Sequence, residues 1–292
     1  MCYSVGLIGL GKIGLGYDLG LDSTYIQTHY RAILDQKRMK LAFVFDSDKS
    51  TYRHVDRRVA KLSNLKQVKK QLSEIDVLII ATPSATHMTI LKQLELKKDN
   101  KFTVLLEKPV GDSLLSNITI NEYLQNSDYR VNYVRRSVPA FSKIKEYLSQ
   151  TSGWEMYCEF NGDWLNIGSH FFDLFLFFSD QEDDLNYIWV NENTLEVRFL
   201  NKRVLVLVRK IGKLDFPYKY QIKADNTKII FDEKLDRVQF EQKIFPEMST
   251  RLNLRAYQKH VFDDLIELLD TGINLNLADG LSSSKFHQIL GE

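Results

Sequence analysis

Three glycines set the first chemical expectation. Gly9-Leu10-Gly11-Lys12-Ile13-Gly14 follows directly on an apolar run at residues 5–9 and is placed to open a helix. In such a turn Gly9 permits the tight reversal, Gly11 lets the main chain approach an anion, and Gly14 allows close helix packing. The free N–H groups of the following turn, Lys12 and Ile13 among them, would face a pyrophosphate. The pattern is therefore read as a dinucleotide cradle. Asp46 closes a second apolar run at residues 41–45, where a carboxylate accepts the adenosine ribose hydroxyls and repels a 2′-phosphate. NAD is expected, with NADP left possible. Asp46 lies 46 − 14 = 32 residues beyond Gly14, against about 20 in the usual spacing. The excess falls around residues 16–22. That segment reads either as a surface loop or as a cover bringing Tyr17 and Asp18 near the nicotinamide or the substrate.

Elements able to position these residues alternate regularly. Apolar runs at 5–9, 41–45, 77–81 and 104–106 read as buried strands, with helical segments at 26–34, 50–62 and 86–97 between them, the pattern of a parallel sheet. A helix at 113–124 and a strand at 130–134 follow. The texture then changes. Strands at 154–160, 194–200, 204–209, 218–224, 228–231 and 237–240 succeed one another with few helices between, as in an antiparallel sheet. Helices are expected at 140–148, 167–178, 254–269 and near 280–290. The fold class is α/β: a doubly wound Rossmann domain over residues 1–125, then an α+β domain with a large open, mostly antiparallel sheet over 126–292.

Composition narrows the partners. Lys and Arg number 39 against 38 Asp and Glu, which gives no field to gather nucleic acid or an anionic membrane. A small molecule is the expected partner. Cys2 and Cys158 form no disulfide or zinc pattern and fit a reducing cytoplasm. The first ten residues read as a strand and not as a signal peptide. The apolar stretch 171–178 is broken by Asp173 and falls short of the ~20 residues that cross a bilayer. Histidines 29, 54, 87, 260 and 287 show no metal-ligand spacing with carboxylates, so no metal is expected.

Several motifs in order resemble the Gfo/Idh/MocA oxidoreductases. They are the glycine fingerprint, Ala81-Thr82-Pro83-Ser84 with His87, Glu107-Lys108-Pro109, Arg135-Arg136 with Pro139, and Gly168-Ser169-His170-Phe171-Phe172-Asp173. The resemblance implies a pyridine-nucleotide domain, a second domain with an open sheet, and a substrate cleft between them. It also implies a carbohydrate-type substrate and assembly of a dimer or tetramer through the open sheet. Thr82, Pro83, His87 and Glu107 join the cofactor-binding candidates on this ground.

Oxidising a secondary alcohol needs a group to take the hydroxyl proton, which the cofactor does not supply. The resemblance places Lys108 at the reacting oxygen, as an ammonium that stabilises alkoxide charge or as a base of depressed pKa. Pro109 restricts Lys108 to extended backbone. His170 titrates near neutrality and is the second catalytic candidate, with Asp173 available to orient it. The sugar-alcohol dehydrogenases of the family carry an aspartate four residues before this histidine. Asn166 stands there in this chain and is assigned to a substrate hydroxyl, since an amide is no base. Tyr133, Arg135 and Arg136 are substrate-binding candidates, the arginines for a carboxylate or phosphate. The expected activity is NAD(H)-dependent interconversion of alcohol and ketone on a sugar or derivative, acidic and nucleotide-linked sugars included. A reductase of a conjugated or imine substrate, as in the biliverdin reductase branch, and a catalytically silent NAD-binding sensor are the alternatives.

Overall fold

A computed structural model describes residues 1–96, 101–179, 185–199, 203–211, 218–241, 251–274 and 276–291. Two compact units emerge: residues 1–134 with 255–292, and residues 135–254.

Continuous apolar runs build the first unit's sheet. β1 (Tyr3–Ile8), β2 (Met39–Phe45), β3 (Ala60–Leu62), β4 (Val77–Ile80), β5 (Thr103–Leu106) and β6 (Tyr129–Val131) lie in the order β3-β2-β1-β4-β5-β6, and all pairs are parallel. Side chains alternate across the sheet. Val5, Leu7, Val77, Ile79 and Leu105 join one core with Ala32 and Ile33 of α1 (His29–Asp35) and with Val261, Phe262 and Leu265 of α7 (Tyr257–Thr271). Ile8, Leu78, Ile80, Val104 and Leu106 join the other core, with Val68 of α2 (Leu65–Gln71), Leu91 and Leu94 of α3 (His87–Leu94), and Ile120 and Leu124 of α4 (Leu114–Leu124). Burial on both faces is why these strands read as unbroken apolar runs.

The division differs from the one expected at residue 125. Residues 255–292 return to the first unit because α7 turns its apolar face onto α1, while α8 (Leu281–Leu290) packs on α4. The chain before α8 is tied down as well: Val131 N–H donates to the Ala278 carbonyl at 2.7 Å. A second correction concerns residues 50–62, expected as a helix. They form a 3-10 turn at Lys49–His54 and then strand β3. The Asp56 carboxylate accepts the Arg58 N–H at 2.9 Å, a local bond that competes with helical continuation.

The second unit holds a seven-stranded sheet in the order β13-β12-β11-β7-β10-β9-β8. The strands are β7 (Gly153–Phe160), β8 (Leu185–Asn191), β9 (Thr194–Phe199), β10 (Arg203–Lys210), β11 (Tyr218–Ala224), β12 (Thr227–Asp232) and β13 (Arg237–Phe240). Only β7 and β10 pair in parallel; the other neighbours are antiparallel. Trp154, Met156, Cys158 and Phe160 alternate inward along β7. They lie on the side of α5 (Pro139–Ser149) and α6 (Ser169–Ser179), whose Phe141, Phe175 and Phe178 meet Trp154, Tyr220 and Phe231 ring to ring. Glu155, Lys219 and Lys223 are exposed on the opposite face. Strand β8 had no counterpart in the sequence reading, and the expected ends at Lys97 and Leu200 lie outside the described residues. Among the described residues no helix is long and apolar enough to cross a membrane, and no group of three or more His, Cys, Asp or Glu is placed to hold a metal.

Candidate functional site

The carboxyl ends of β1, β2, β4 and β5 carry the fingerprint, Asp46, Thr82 and Lys108 along one edge of one parallel sheet. This is the edge at which open α/β sheets bind ligands. Each glycine of the fingerprint has its own geometric cause. Gly9 takes a φ of +95°, and a β-carbon there would lie 2.6 Å from the Ala81 carbonyl oxygen. At Gly14 it would lie 2.0 Å from the Gly9 carbonyl oxygen. At Gly11 it would meet nothing within 4 Å. The open space sits at the position where a pyrophosphate would approach the main chain, so the turn fits a dinucleotide. Lys12 is exposed beside it, and Ile13 packs against the core.

The long interval to Asp46 has a structural explanation. Leu15 N–H donates to the Gly11 carbonyl, as in an α-helix. Tyr17 N–H donates to the Lys12 carbonyl at 2.8 Å, one residue later than an α-helix would, and the donors to Ile13 and Gly14 are then His29 at 3.1 Å and Tyr30 at 2.9 Å. His29 and Tyr30 thus occupy the places of a seventeenth and eighteenth residue. Residues 17–28 are looped out of one helical register, and without those twelve the interval becomes 32 − 12 = 20 residues. The excursion is clasped by Asp18, buried, whose carboxylate accepts Thr28 N–H at 2.8 Å, Thr28 Oγ1–H at 2.6 Å and Gln27 N–H at 3.0 Å. Thr28 in turn caps α1 by accepting the Arg31 N–H. Leu15, Asp18, Leu19, Thr28, Arg31 and Leu34 are among the residues lining a cavity of about 450 Å³ between the excursion and α1. Asp18 is therefore occupied as a clasp, and Tyr17 is exposed.

Asp46 is half-buried, with Oδ2 accepting Leu10 N–H at 2.5 Å and Oδ1 accepting Asp48 N–H at 2.7 Å. These bonds aim the carboxylate and leave it lone pairs for ribose hydroxyls. The neighbouring Lys49 ammonium is held by the Asp46 and Leu62 carbonyls and lies over the Phe45 ring.

Thr82 follows β4 and Pro83 is exposed. His87, fully buried, bridges the Thr82 and Val110 carbonyls, each at 2.9 Å. Burial pushes its pKa down, against the two carbonyl bonds that pull it up. It fastens the turn after β4 to the segment after Pro109. Glu107, also buried, accepts from His29 Nε2 at 2.7 Å and from Asn132 Nδ2. Burial drives its pKa up, but His29, Asn132 and the Lys108 charge prevail and hold it below the ordinary value. Lys108 is half-buried, and its bond to Pro109 is cis. Tyr133 is buried in the second core of the first unit. His29 was weighed in the sequence only as a metal ligand, and Asn132 went unnoticed. The signal for His29, a histidine three residues past the last glycine, was hidden by the excursion.

In the second unit both arginines meet carboxylates. Arg135, buried, forms a bidentate pair with Glu233 at 2.9 and 3.0 Å, lies over Tyr218 and Phe171, and shares Glu233 with the Tyr220 hydroxyl at 2.7 Å. Burial depresses its pKa, yet the Glu233 charge raises it well above the ordinary value. Arg136 grips both Asp173 oxygens at 2.8 Å. His170 is half-buried in the first turn of α6. Residues Trp164–Gly168 before it wind as a π-turn, a local irregularity frequent at functional sites. The i, i+4 relation that would align Asn166 with His170 in an α-helix therefore does not apply. Asn166 is exposed and donates its N–H and Nδ2 to Asp163 at 2.7 and 2.8 Å. Asp163 had escaped the sequence reading.

Residues 3–131 match the Gfo/Idh/MocA family model, described as an oxidoreductase family with an NAD-binding Rossmann fold. The chain carries the NAD-binding Rossmann domain of that family. No curated protein matches the sequence. Among solved structures, a super-repressor mutant of Gal80p from Saccharomyces cerevisiae is similar at a TM-score of 0.76 and 13% identity over 100% of this chain and 94% of that one. An oxidoreductase from Agrobacterium radiobacter in complex with NAD+, L-tartaric acid and magnesium is similar at 0.70 and 14%, over 99% and 95%. UDP-N-acetylglucosamine 3-dehydrogenase GnnA from Acidithiobacillus ferrooxidans is similar at 0.70 and 16%, over 100% and 96%. At these identities the likeness shows the fold.

Proposed function

We propose that this chain, with its Rossmann domain of the Gfo/Idh/MocA oxidoreductases, uses NAD(H) to interconvert a secondary alcohol and a ketone on a sugar or sugar derivative. The observation that carries the reading is the single sheet edge shared by the open Gly11 turn, Asp46 and Lys108. Gly9, Gly11, Lys12, Ile13 and Gly14 would hold the pyrophosphate, Asp46 the adenosine ribose, and Thr82 with Pro83 the turn beside them. Both Asp46 oxygens are aimed by main-chain N–H groups, and a 2′-phosphate would meet their negative charge, which favours NAD over NADP. His87 and Glu107 serve the site by fixing the segments around Lys108.

A bound nicotinamide would supply the hydride acceptor or donor for the carbinol carbon. Lys108 Nζ hydrogen-bonds the reacting oxygen and stabilises its charge as the carbonyl forms or is reduced. His170 is the proposed proton carrier, and Asn166, tied to Asp163, the proposed ligand of a substrate hydroxyl. Arg135 and Arg136 serve internal carboxylates, so the pair lends no support to an acidic sugar. Association through the open sheet stays part of the reading, with exposed Ile188 and Val190 on β8 in its favour. So does a reducing, intracellular setting, with both cysteines free thiols.

Calorimetric titration with NAD(H) and NADP(H), followed by a screen of polyols, sugars and nucleotide sugars for nicotinamide reduction, tests the proposal. Binding of NADH and turnover abolished by Lys108→Ala are expected. Failure of both dinucleotides to bind, or full turnover in Lys108→Ala, overturns it. Asn166, in place of a carboxylate, supports one rival, a cofactor-binding protein without turnover. NADH binding with no turnover on any substrate would favour that rival.

A further inference from the structure

The cavity of about 450 Å³ between the excursion and α1 lies within the first unit, and neither the fingerprint glycines nor Asp46 line it. Its volume is that of a small-molecule site. Three leucines form its apolar part. Leu15 is buried, whereas Leu19 and Leu34 remain 47% and 54% exposed. Large apolar side chains gathered around a concavity and left open to water gain by being covered.

The polar part is a pair of opposite charges that do not meet. Arg31 and Asp35 both line the cavity and stand four residues apart on α1. At that spacing an arginine and an aspartate share one helix face and ordinarily pair with each other. Here they diverge: Arg31 Nη2 donates to the Asp18 carbonyl at 3.4 Å, and Asp35 turns to Lys259 of α7 at 3.4 Å. Neither charge is fully matched. The Asp18 carbonyl is a neutral acceptor on a long bond, which leaves the fork of the half-buried guanidinium open to a carboxylate, its best planar partner. Lys259 also serves Asp263 at 3.8 Å, so one ammonium is divided between two carboxylates. The other polar groups of the lining are committed elsewhere. The Asp18 carboxylate holds Gln27 and Thr28, and His54 Nε2 accepts Arg53 Nε at 2.9 Å.

We propose that this cavity binds a small zwitterion with an apolar side chain, an α-amino acid of the leucine or phenylalanine type. Arg31 takes the carboxylate, Asp35 the ammonium, and Leu15, Leu19 and Leu34 the side chain. A molecule bearing both charges matches the divided pair, whereas a singly charged one leaves Arg31 or Asp35 without its complement. The inference goes beyond the redox reaction proposed above and uses none of its residues. Because the excursion walls the cavity, an occupant covers Leu19 and favours the conformation that Asp18 clasps.

Full-length protein with ¹³C-methyl leucine, titrated with L-phenylalanine, reports the site by NMR; Leu19→Met and Leu34→Met identify the two resonances. Saturable shifts of both are expected. N-Acetyl-L-phenylalanine, which lacks the ammonium, and L-phenylalaninamide, which lacks the carboxylate, should each bind at least about tenfold more weakly. Arg31→Gln and Asp35→Asn should each weaken L-phenylalanine by about tenfold. Absence of a saturable shift up to about 20 mM, an analogue that binds as tightly as the zwitterion, or undiminished affinity in Arg31→Gln overturns the proposal. If Arg31→Gln fails to fold, undiminished affinity in Asp35→Asn, at an exposed position, overturns it equally. The titration involves no dinucleotide, so its result and that of the NADH calorimetry are read separately.

Discussion

Replacing Asp18 by alanine should unfasten the excursion that interrupts the fingerprint helix. The carboxylate receives three donors: Thr28 N–H, Thr28 Oγ1–H and Gln27 N–H. Thr28 is fully buried, so its main-chain donor is left without a protein acceptor in the closed loop. The hydroxyl can rotate to another acceptor, but the two main-chain donors cannot. Each unsatisfied buried donor costs about 1–3 kcal/mol. The buried Thr28 N–H and the half-buried Gln27 N–H together place the loss at about 2–3 kcal/mol for Asp18→Ala. Asp18→Asn keeps one acceptor oxygen and should lose about half as much. Urea unfolding followed by fluorescence measures both. With a slope of about 2–3 kcal/mol/M, the alanine variant should unfold at a midpoint about 1 M lower, slope unchanged. A loss below about 1 kcal/mol for Asp18→Ala would refute the clasp, for it would mean that the donors are satisfied without the carboxylate.

Three further outcomes follow from the geometry. Gly14→Ala should fail to yield folded protein, its β-carbon being 2.0 Å from a carbonyl oxygen, whereas Gly11→Ala, which meets nothing within 4 Å, should fold with normal circular dichroism. Gly11→Ala should nonetheless bind NADH at least about tenfold more weakly by calorimetry, a loss near 1.4 kcal/mol. Asp270 is drawn down to a pKa of about 2 by hydrogen bonds first from Arg38 and then from Tyr3. Its folded value lies below its unfolded one, so its contribution is complete above about pH 4 and disappears as pH falls towards 2. The stability gap between the wild type and Asp270→Asn should close over that window in acid denaturation. Glu233→Gln, which leaves the buried Arg135 charge uncompensated, should destabilise the second unit by about 3 kcal/mol in thermal unfolding.

Much of the first unit was legible because its signals are local. The Gly9–Gly14 spacing, the carboxylate of Asp46 at a strand end and the apolar strands need only a short window of sequence. What escaped depends on distance along the chain. His29 reads as an unremarkable histidine until residues 17–28 are recognised as looped out, which only the bonds to Ile13 and Gly14 reveal. Arg135 looked available for an anion because Glu233, its partner, lies 98 residues away. The return of α7 and α8 to the first unit has the same cause: an amphipathic helix declares an apolar face but not the surface that will cover it. At residues 50–62 the error was one of period. Val55 and Val59 fit a helical stripe, but the Asp56 turn and the sheet edge at β3 decided the outcome. The π-turn before His170 escaped because its five-residue step leaves no mark in hydrophobic periodicity.

The looped-out segment also bears on how such a chain can change. Because His29 and Tyr30 resume the bonds that the helix would have made without residues 17–28, the sheet, the glycine turn and Asp46 are indifferent to what lies between Gly16 and His29. The junction behaves as a splice site in three dimensions. Length and composition can be exchanged there at the cost of the Asp18 clasp and the Ile26 contacts, with every strand keeping its register. A shortened chain joining Gly16 to His29 and a lengthened one carrying a foreign loop are thus two edits of one template, and the splice offers a place to graft a new recognition element beside the dinucleotide cradle.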